Sequence, residues 1–307
     1  DFSSGVQINP LRQENGRYNT SLTLEEGDYV TIGAIQDESS TGSNIAGGRV
    51  VWLRAEDLSV SGGSSISSWP DASGSGNDAQ ASTGTPTLKT DQFNGEPAVH
   101  FDGSSALTIS DKAMLDNGSG VTIFAVVRPD GSGERSILSK QEQRQSFFGA
   151  RTVTSYIAQI ENGGNATLGV SGSGLLGPSG TVEVTSNATV GDGQATIVQA
   201  WFDEGANSGG VRINGETTTG LGQGQRSVAD TNSPLTIGGS FQGEIAELMV
   251  YNEELSEAER TVIRSNLTSK YFGSQSGEGQ TDYYAGDAPE NGGYGRDVIG
   301  VLNVGGT

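Results

Sequence analysis

Along most of this chain short β-patterned runs of apolar residues, some continuous and some alternating with polar ones, are separated by Gly, Ser and Asn. The runs are Val50 to Leu53, Ala98 to Phe101, Val121 to Val127, Ser136 to Leu138, Ser155 to Gln159, Ala166 to Val170, Val182 to Val184, Thr196 to Phe202, Gly210 to Ile213, Leu235 to Ile237 and Gly243 to Tyr251. Side chains of a strand point to opposite faces in turn, so each run predicts a β-strand. A long series without interleaved helices predicts two packed antiparallel sheets, an all-β jelly-roll sandwich. One helix is predicted at the end. Ser256-Glu257-Ala258-Glu259 is a capping box, in which hydroxyl and carboxylate satisfy each other's backbone donors. Behind it Val262, Ile263, Leu267 and Tyr271 share one face, which predicts a helix ending near Phe272-Gly273 and laid on a sheet.

The same pattern divides the chain into a flank at 1–46, the sandwich at 47–272 and a second flank at 273–307. In the first flank, Ser21 to Leu24 and Tyr29 to Ile32 bracket the turn Glu25-Glu26-Gly27-Asp28 and predict a hairpin. Two strands are rarely stable alone. The second flank opens on a linker-like Gly273 to Gly279 and holds the apolar segment Asp297 to Leu302. That segment is predicted to pair with the N-terminal flank or with a neighbouring subunit.

Composition narrows the function classes. A chain of 307 residues buries one large core or two modest ones, and 48 glycines suit many short elements joined by turns. No segment reaches the roughly 18 to 20 apolar residues of a membrane span. Asp1-Phe2-Ser3-Ser4 resembles neither a signal peptide nor an initiator, so a processed, secreted protein of an extracellular surface is expected. Cysteine is absent, which excludes disulfides and thiol chemistry. The net charge of −20 argues against nucleic acid and anionic membranes as partners. Of the 17 basic residues only Lys89, Lys112, Lys140 and Lys270 are lysines. An acidic, lysine-poor surface suits concentrated salt, where screening removes self-repulsion. An acidic seawater surface protein holding calcium fits the same numbers.

Three segments carry a family resemblance: Val51-Trp52-Leu53-Arg54-Ala55-Glu56-Asp57-Leu58, then Ser68-Trp69-Pro70-Asp71 through Asn77-Asp78-Ala79, then Pro97-Ala98-Val99-His100-Phe101-Asp102-Gly103-Ser104. They resemble the opening of bacterial and archaeal laminin-G-like domains of the concanavalin A-like lectin/glucanase superfamily. Gly243 to Tyr251 and Leu255 to Arg260 resemble that family's last strand and terminal helix. The resemblance spans about residues 47 to 272 and implies a sandwich that serves as a binding or spacer module of surface proteins. It fixes neither a ligand nor a reaction. Tyr294 to Gly300 resembles the segment C-terminal to such domains in large surface proteins.

Candidate chemistry is sparse. His100 is the sole histidine, and without a partner His, a Cys or a serine elbow it reads as a strand residue. Glu244 and Glu247 invite comparison with the glycosidase carboxylate pair, set about 5 Å apart on one face. Three positions apart on a regular strand, they are predicted to face opposite ways. Asp71, Ser73, Asn77 and Asp78 lie on one Gly-rich loop, and Asp102 opens another turn, so Asp71, Asn77, Asp78 and Asp102 are candidate Ca²⁺ ligands. The same residues are ordinary turn formers. Trp52 and Trp201 read as core, whereas Trp69, beside Pro70, is the candidate for stacking on a sugar ring. Asn19, Asn117, Asn165, Asn187 and Asn266 begin glycosylation sequons. The functional expectation is a non-enzymatic surface protein, joined to neighbouring copies through its terminal strands. A calcium-dependent carbohydrate-binding module and a virion surface protein are the alternatives.

Overall fold

The computed structural model describes residues 48–116, 118–131, 133–146, 149–171, 181–221 and 228–272, with short strands at 12–14, 17–19, 29–31 and 301–303. The chain forms two compact units, Asp1–Gly47 with Asp282–Thr307, and Gly48–Thr281. In the small unit β1 (Arg12–Glu14) pairs with β2 (Arg17–Asn19), and β3 (Tyr29–Thr31) supplies half of a second pair.

The large unit holds β4 (Arg49–Arg54), β5 (Ser68–Trp69), β6 (Ala79–Thr83), β7 (Thr87–Phe93), β8 (Glu96–Asp102), β9 (Ala106–Ile109), β10 (Gly120–Pro129) and β11 (Arg135–Ser146). It continues with β12 (Gly149–Ile160), β13 (Asn165–Ser171), β14 (Thr181–Thr189), β15 (Thr196–Asp203), β16 (Ser208–Ile213), β17 (Glu216–Leu221), β18 (Leu235–Gly238), β19 (Gln242–Tyr251) and the helix α1 (Glu257–Phe272). The last strand, β20 (Val301–Asn303), pairs antiparallel with β3 in the small unit. Ser21 to Asp28, the predicted first arm and turn of a hairpin, lie outside the described residues.

The first sheet of the large unit runs β17-β16-β15-β10-β19-β8-β7, and β4 shares with β8 the free edge of the long β19. The second sheet runs β14-β13-β12-β11-β18-β9-β6-β5. Every pairing is antiparallel. Between the sheets lie Leu53, Val99, Phe101, Ile123 and Leu248 from the first and Leu107, Leu138, Tyr156, Leu168 and Ile237 from the second. These are the inward positions of period-two strands, and their burial drives the fold. This is the sandwich that the alternation predicts.

The first sheet is covered on its other face as well. Along β10 only Arg128 is even half-exposed, because α1 lies over the outer side of this sheet. Ile263, Leu267 and Tyr271 are buried there, and the Arg260 guanidinium stacks over the Trp201 ring at 4.1 Å. The capping box forms as predicted: Ser256 N–H donates to Glu259 Oε2 at 2.9 Å and Glu259 N–H to Ser256 Oγ at 3.3 Å.

Two elements differ from expectation. The β11–β12 hairpin is far longer than its apolar stretches, because Gln141 to Gln145 pairs with Ala150 to Thr154 despite its polarity. In β19, Glu247 faces Val126 and Ile245 faces Val127, so Ala246 is the extra residue of a β-bulge. The bulge shifts the alternation by one. Ile245 and Leu248 both enter the core, and Glu244 and Glu247 share the outer face. The prediction that they face opposite ways is therefore corrected.

Candidate functional site

On the outer face of the first sheet, under the C-terminal half of α1, Glu247 is 3% exposed and fully engaged. It accepts from Trp52 Nε1 at 2.6 Å, from the Tyr271 hydroxyl at 2.6 Å and from Lys270 Nζ at 2.9 Å. Lys270 also meets Glu56 at 2.7 Å. Burial opposes that ammonium, yet Glu247 and Glu56 beside it carry its pKa above the ordinary lysine value. Burial and the Glu247 charge push the Tyr271 hydroxyl far up, so it stays protonated as a donor. Glu96 is raised by burial and then by Glu56. Glu244, 6% exposed, meets Lys89 at 2.7 Å and His100 Nδ1 at 3.1 Å, which gives the sole histidine a structural partner. The bulge thus brings both candidate carboxylates to one face, but each is buried under partners that leave no room for a sugar ring. The arrangement ties helix to sheet.

A second buried polar cluster closes one rim of the sandwich. Lys140 is 0% exposed and points inward beside its cross-strand neighbour Tyr156. Its ammonium contacts Asp111 at 2.5 Å, Asp116 at 3.0 Å and the carbonyls of Thr231 and Ser233 at 3.0 and 2.7 Å. Asp116 also accepts from Thr231 N–H and from the Ser155 hydroxyl. Four oxygens from two segments converge on one internal cation. Sequence reasoning missed this cluster, since Lys140 continues what reads as a polar stretch.

The loop after β5 is closed by its own hydrogen bonds. Asp71 accepts from the N–H groups of Trp52, Ser73 and Asn77 and from the Ser73 hydroxyl, and Asp78 accepts from Asp71 N–H at 2.8 Å. Asn77 is buried, donating to Val50 O at 2.7 Å. Asp102 caps a separate turn. The Ser104 amide, then the Ser105 and Ser104 hydroxyls, hold its carboxyl down at about 2. These oxygens face N–H and O–H donors instead of one shared point, and among the described residues no three His, Asp or Glu side chains are grouped to hold a metal. The loop geometry does not fit a calcium cage. Trp69 is 0% exposed and donates from its indole N–H to Arg54 O at 2.8 Å, so its ring is core and the sugar-stacking expectation is corrected.

Of the sequons, Asn187 is exposed on β14, Asn165 is half-buried with its amide donating to Ser186 O, and Asn266 is half-buried on α1. Asn19 ends β2, and Asn117 lies outside the described residues.

The outer face of the second sheet is different in character. Strand register aligns Ser68, Gln80, Thr108, Thr236, Ser139, Ile157, Gly169 and Glu183 in one row across all eight strands. Leu107, Ile109, Leu235, Ile237 and Leu138 point into the core, so their neighbours Thr108, Thr236 and Ser139 point out. These three are half-exposed, and no described helix lies over them. The hairpin adds a second polar patch, where Gln141 and Gln143 donate to Thr154 and Thr152. The face is rich in hydroxyls and amides.

The model of one family, described as the concanavalin A-like lectin/glucanases superfamily, matches residues 101–259, more than half of the chain. The chain belongs to this superfamily. The match ends inside α1 and begins in β8, so the motifs around Trp52 and Trp69 precede it. Among solved structures, the binding domain of Paraclostridial Mosquitocidal Protein 1 is similar, with a TM-score of 0.51 and 13% identity over 72% of this chain and 52% of that one. The binding domain of Botulinum Neurotoxin DC, solved in complex with SialylT, gives 0.49 and 10% identity over 73% and 52%. A Trypanosoma rangeli sialidase gives 0.48 and 16% identity over 80% and 37%. The chain thus spans about half or less of the length of these three. Comparison with curated proteins gives no match.

Proposed function

We propose that the sandwich is a non-enzymatic carbohydrate-binding module of an exported surface protein, and that it holds glycan on the outer face of the second sheet. The observation that carries this reading is the cross-strand row through Thr108, Thr236 and Ser139, an accessible and uncharged surface of hydroxyls. Hydroxyls and amides both donate and accept, which matches the alternating donors and acceptors of a sugar. Membership of a superfamily of lectins and glucanases supports the ligand class. The buried, paired state of Glu244 and Glu247 supports binding without cleavage. The charge of −20 suits a chain that works in concentrated salt.

Screening the whole chain against a glycan array in concentrated salt, with polysaccharide turnover measured in parallel, tests the reading. Saturable binding without hydrolysis is expected. Hydrolysis that disappears in Glu244→Gln or Glu247→Gln would replace it with a glycosidase.

A further inference from the structure

One buried cluster on the second sheet brings a nucleophile against two carboxyl groups. Lys140 lies on β11 and Asp111 just past the end of β9, and β18 runs between those strands, so the contact reaches over three strands. The Lys140 ammonium is fully buried and meets Asp111 Oδ1 at 2.5 Å and Asp116 Oδ2 at 3.0 Å. The carbonyls of Thr231 and Ser233 hold it from the other side.

The two carboxylates differ. The Asp111 side chain is 34% exposed and opens to solvent at the rim. Asp116 is buried, and its Oδ2 accepts from Thr231 N–H and from the Thr231 and Ser155 hydroxyls. Its Oδ1 has no donor among the described residues, and the hydroxyl of Tyr156, the cross-strand neighbour of Lys140, has no partner among them either. Charges held away from water are costly, and passing one proton from an ammonium to a carboxylate leaves neither group charged. A neutral amine pressed against a carboxyl group is a nucleophile already in place, and such fixed proximity stands in for a very high reactant concentration.

We propose that Lys140 and Asp111 condense to an intramolecular amide, with Asp116 as the proton carrier. Asp116 takes a proton from the ammonium, and the freed lone pair of Nζ forms the C–N bond to Asp111 Cγ. The bond from Cγ to one Asp111 oxygen breaks. That oxygen leaves as water with two of the three ammonium protons, one of them delivered by Asp116. The third proton stays on the amide nitrogen, Asp116 ends as it began, and no oxidant or co-reactant is used. Asp111 is the condensing partner because it is the nearer carboxylate and its rim position lets the water escape. Asp116 is the carrier because hydrogen bonds fix one oxygen and leave the other without a donor. The product ties β9 to β11 across β18. In a chain without cysteine, such a bond supplies the covalent cross-link that a disulfide gives elsewhere.

Mass spectrometry of the whole native chain, unfolded before measurement, tests this. The expected mass is lower than the sequence requires by one water. Trypsin cuts after Lys112 and so separates Asp111 from Asp116, and the Asp111 fragment is expected to be joined to the one that contains Lys140. Lys140→Arg should restore the full mass, and Asp111→Asn should lose ammonia in place of water. Asp116→Asn leaves both condensing groups in place and is expected to lower the cross-linked fraction roughly tenfold or more. A native chain of full mass would overturn the proposal and leave an ion pair. A join at Asp116 would overturn the assigned roles, and complete cross-linking in Asp116→Asn would remove the proton carrier.

Discussion

Lys140 shows how far one residue can depart from its type. A lysine ammonium is rarely fully buried unless paired, and here two aspartates and two carbonyls surround it. Removing it leaves Asp116, itself 2% exposed, as an uncompensated charge. Lys140→Met is therefore expected to destabilise the large unit by about 3 to 5 kcal/mol in urea unfolding. Adding Asp116→Asn should recover part of the loss, because the stranded charge is gone. An unchanged unfolding midpoint in the single variant would show that the ammonium is not needed. Glu96 gives a pH prediction of the opposite kind. Burial and Glu56 raise its pKa above the ordinary 4.5, against the pull of Lys270 and with a smaller push from Glu247. The folded chain then holds the proton more tightly than the unfolded one, so stability falls as pH rises from 4.5 through the raised value. Glu96→Gln is expected to flatten that decline in melting temperature between about pH 4 and 7, and an unaltered slope would assign the decline elsewhere. Neither residue is conspicuous in sequence. Lys140 sits at the start of a polar run, and the partners of Glu96 come from a 3-10 turn, a strand and a helix that only the fold brings together.

At the scale of elements, the apolar strands were legible because they bury one face or, in the first sheet, both, and the capping box marked the helix start. Ser256→Ala removes the hydroxyl that accepts from Glu259 N–H, and a loss of about 1 kcal/mol is expected in thermal unfolding. No measurable change would mean that tertiary packing alone fixes this helix start. Elements held by something other than period-two burial were not legible. The outer half of the β11–β12 hairpin pairs through Gln–Thr contacts instead of apolar ones. β6 and β17 carry mostly exposed side chains, so their sequences show little alternation. The bulge at Ala246 left no sequence signal, yet it decides that Glu244 and Glu247 face the same way. Trp69 read as a loop residue because Pro70 and the Asp71 loop come directly after it, whereas its short pairing with β6 turns the ring inward.

For the large unit as a whole, the two sheets have unequal outer faces. One is sealed by α1 with a network of buried charges, and the other carries the row of hydroxyls. The family resemblance located the sandwich but not this inequality, which arises from strand register and from where the helix lies. The hydroxyl row is the proposed glycan surface. It is tested most directly by isothermal titration of the best array glycan into the native chain and into Thr236→Arg, a bulky charge placed mid-row on an outward side chain. Binding is expected to be lost in the variant with the melting temperature unchanged, while Gln80→Ala at the margin binds within a few-fold of native. Undiminished binding by Thr236→Arg would contradict it and move the ligand to another surface of the sandwich.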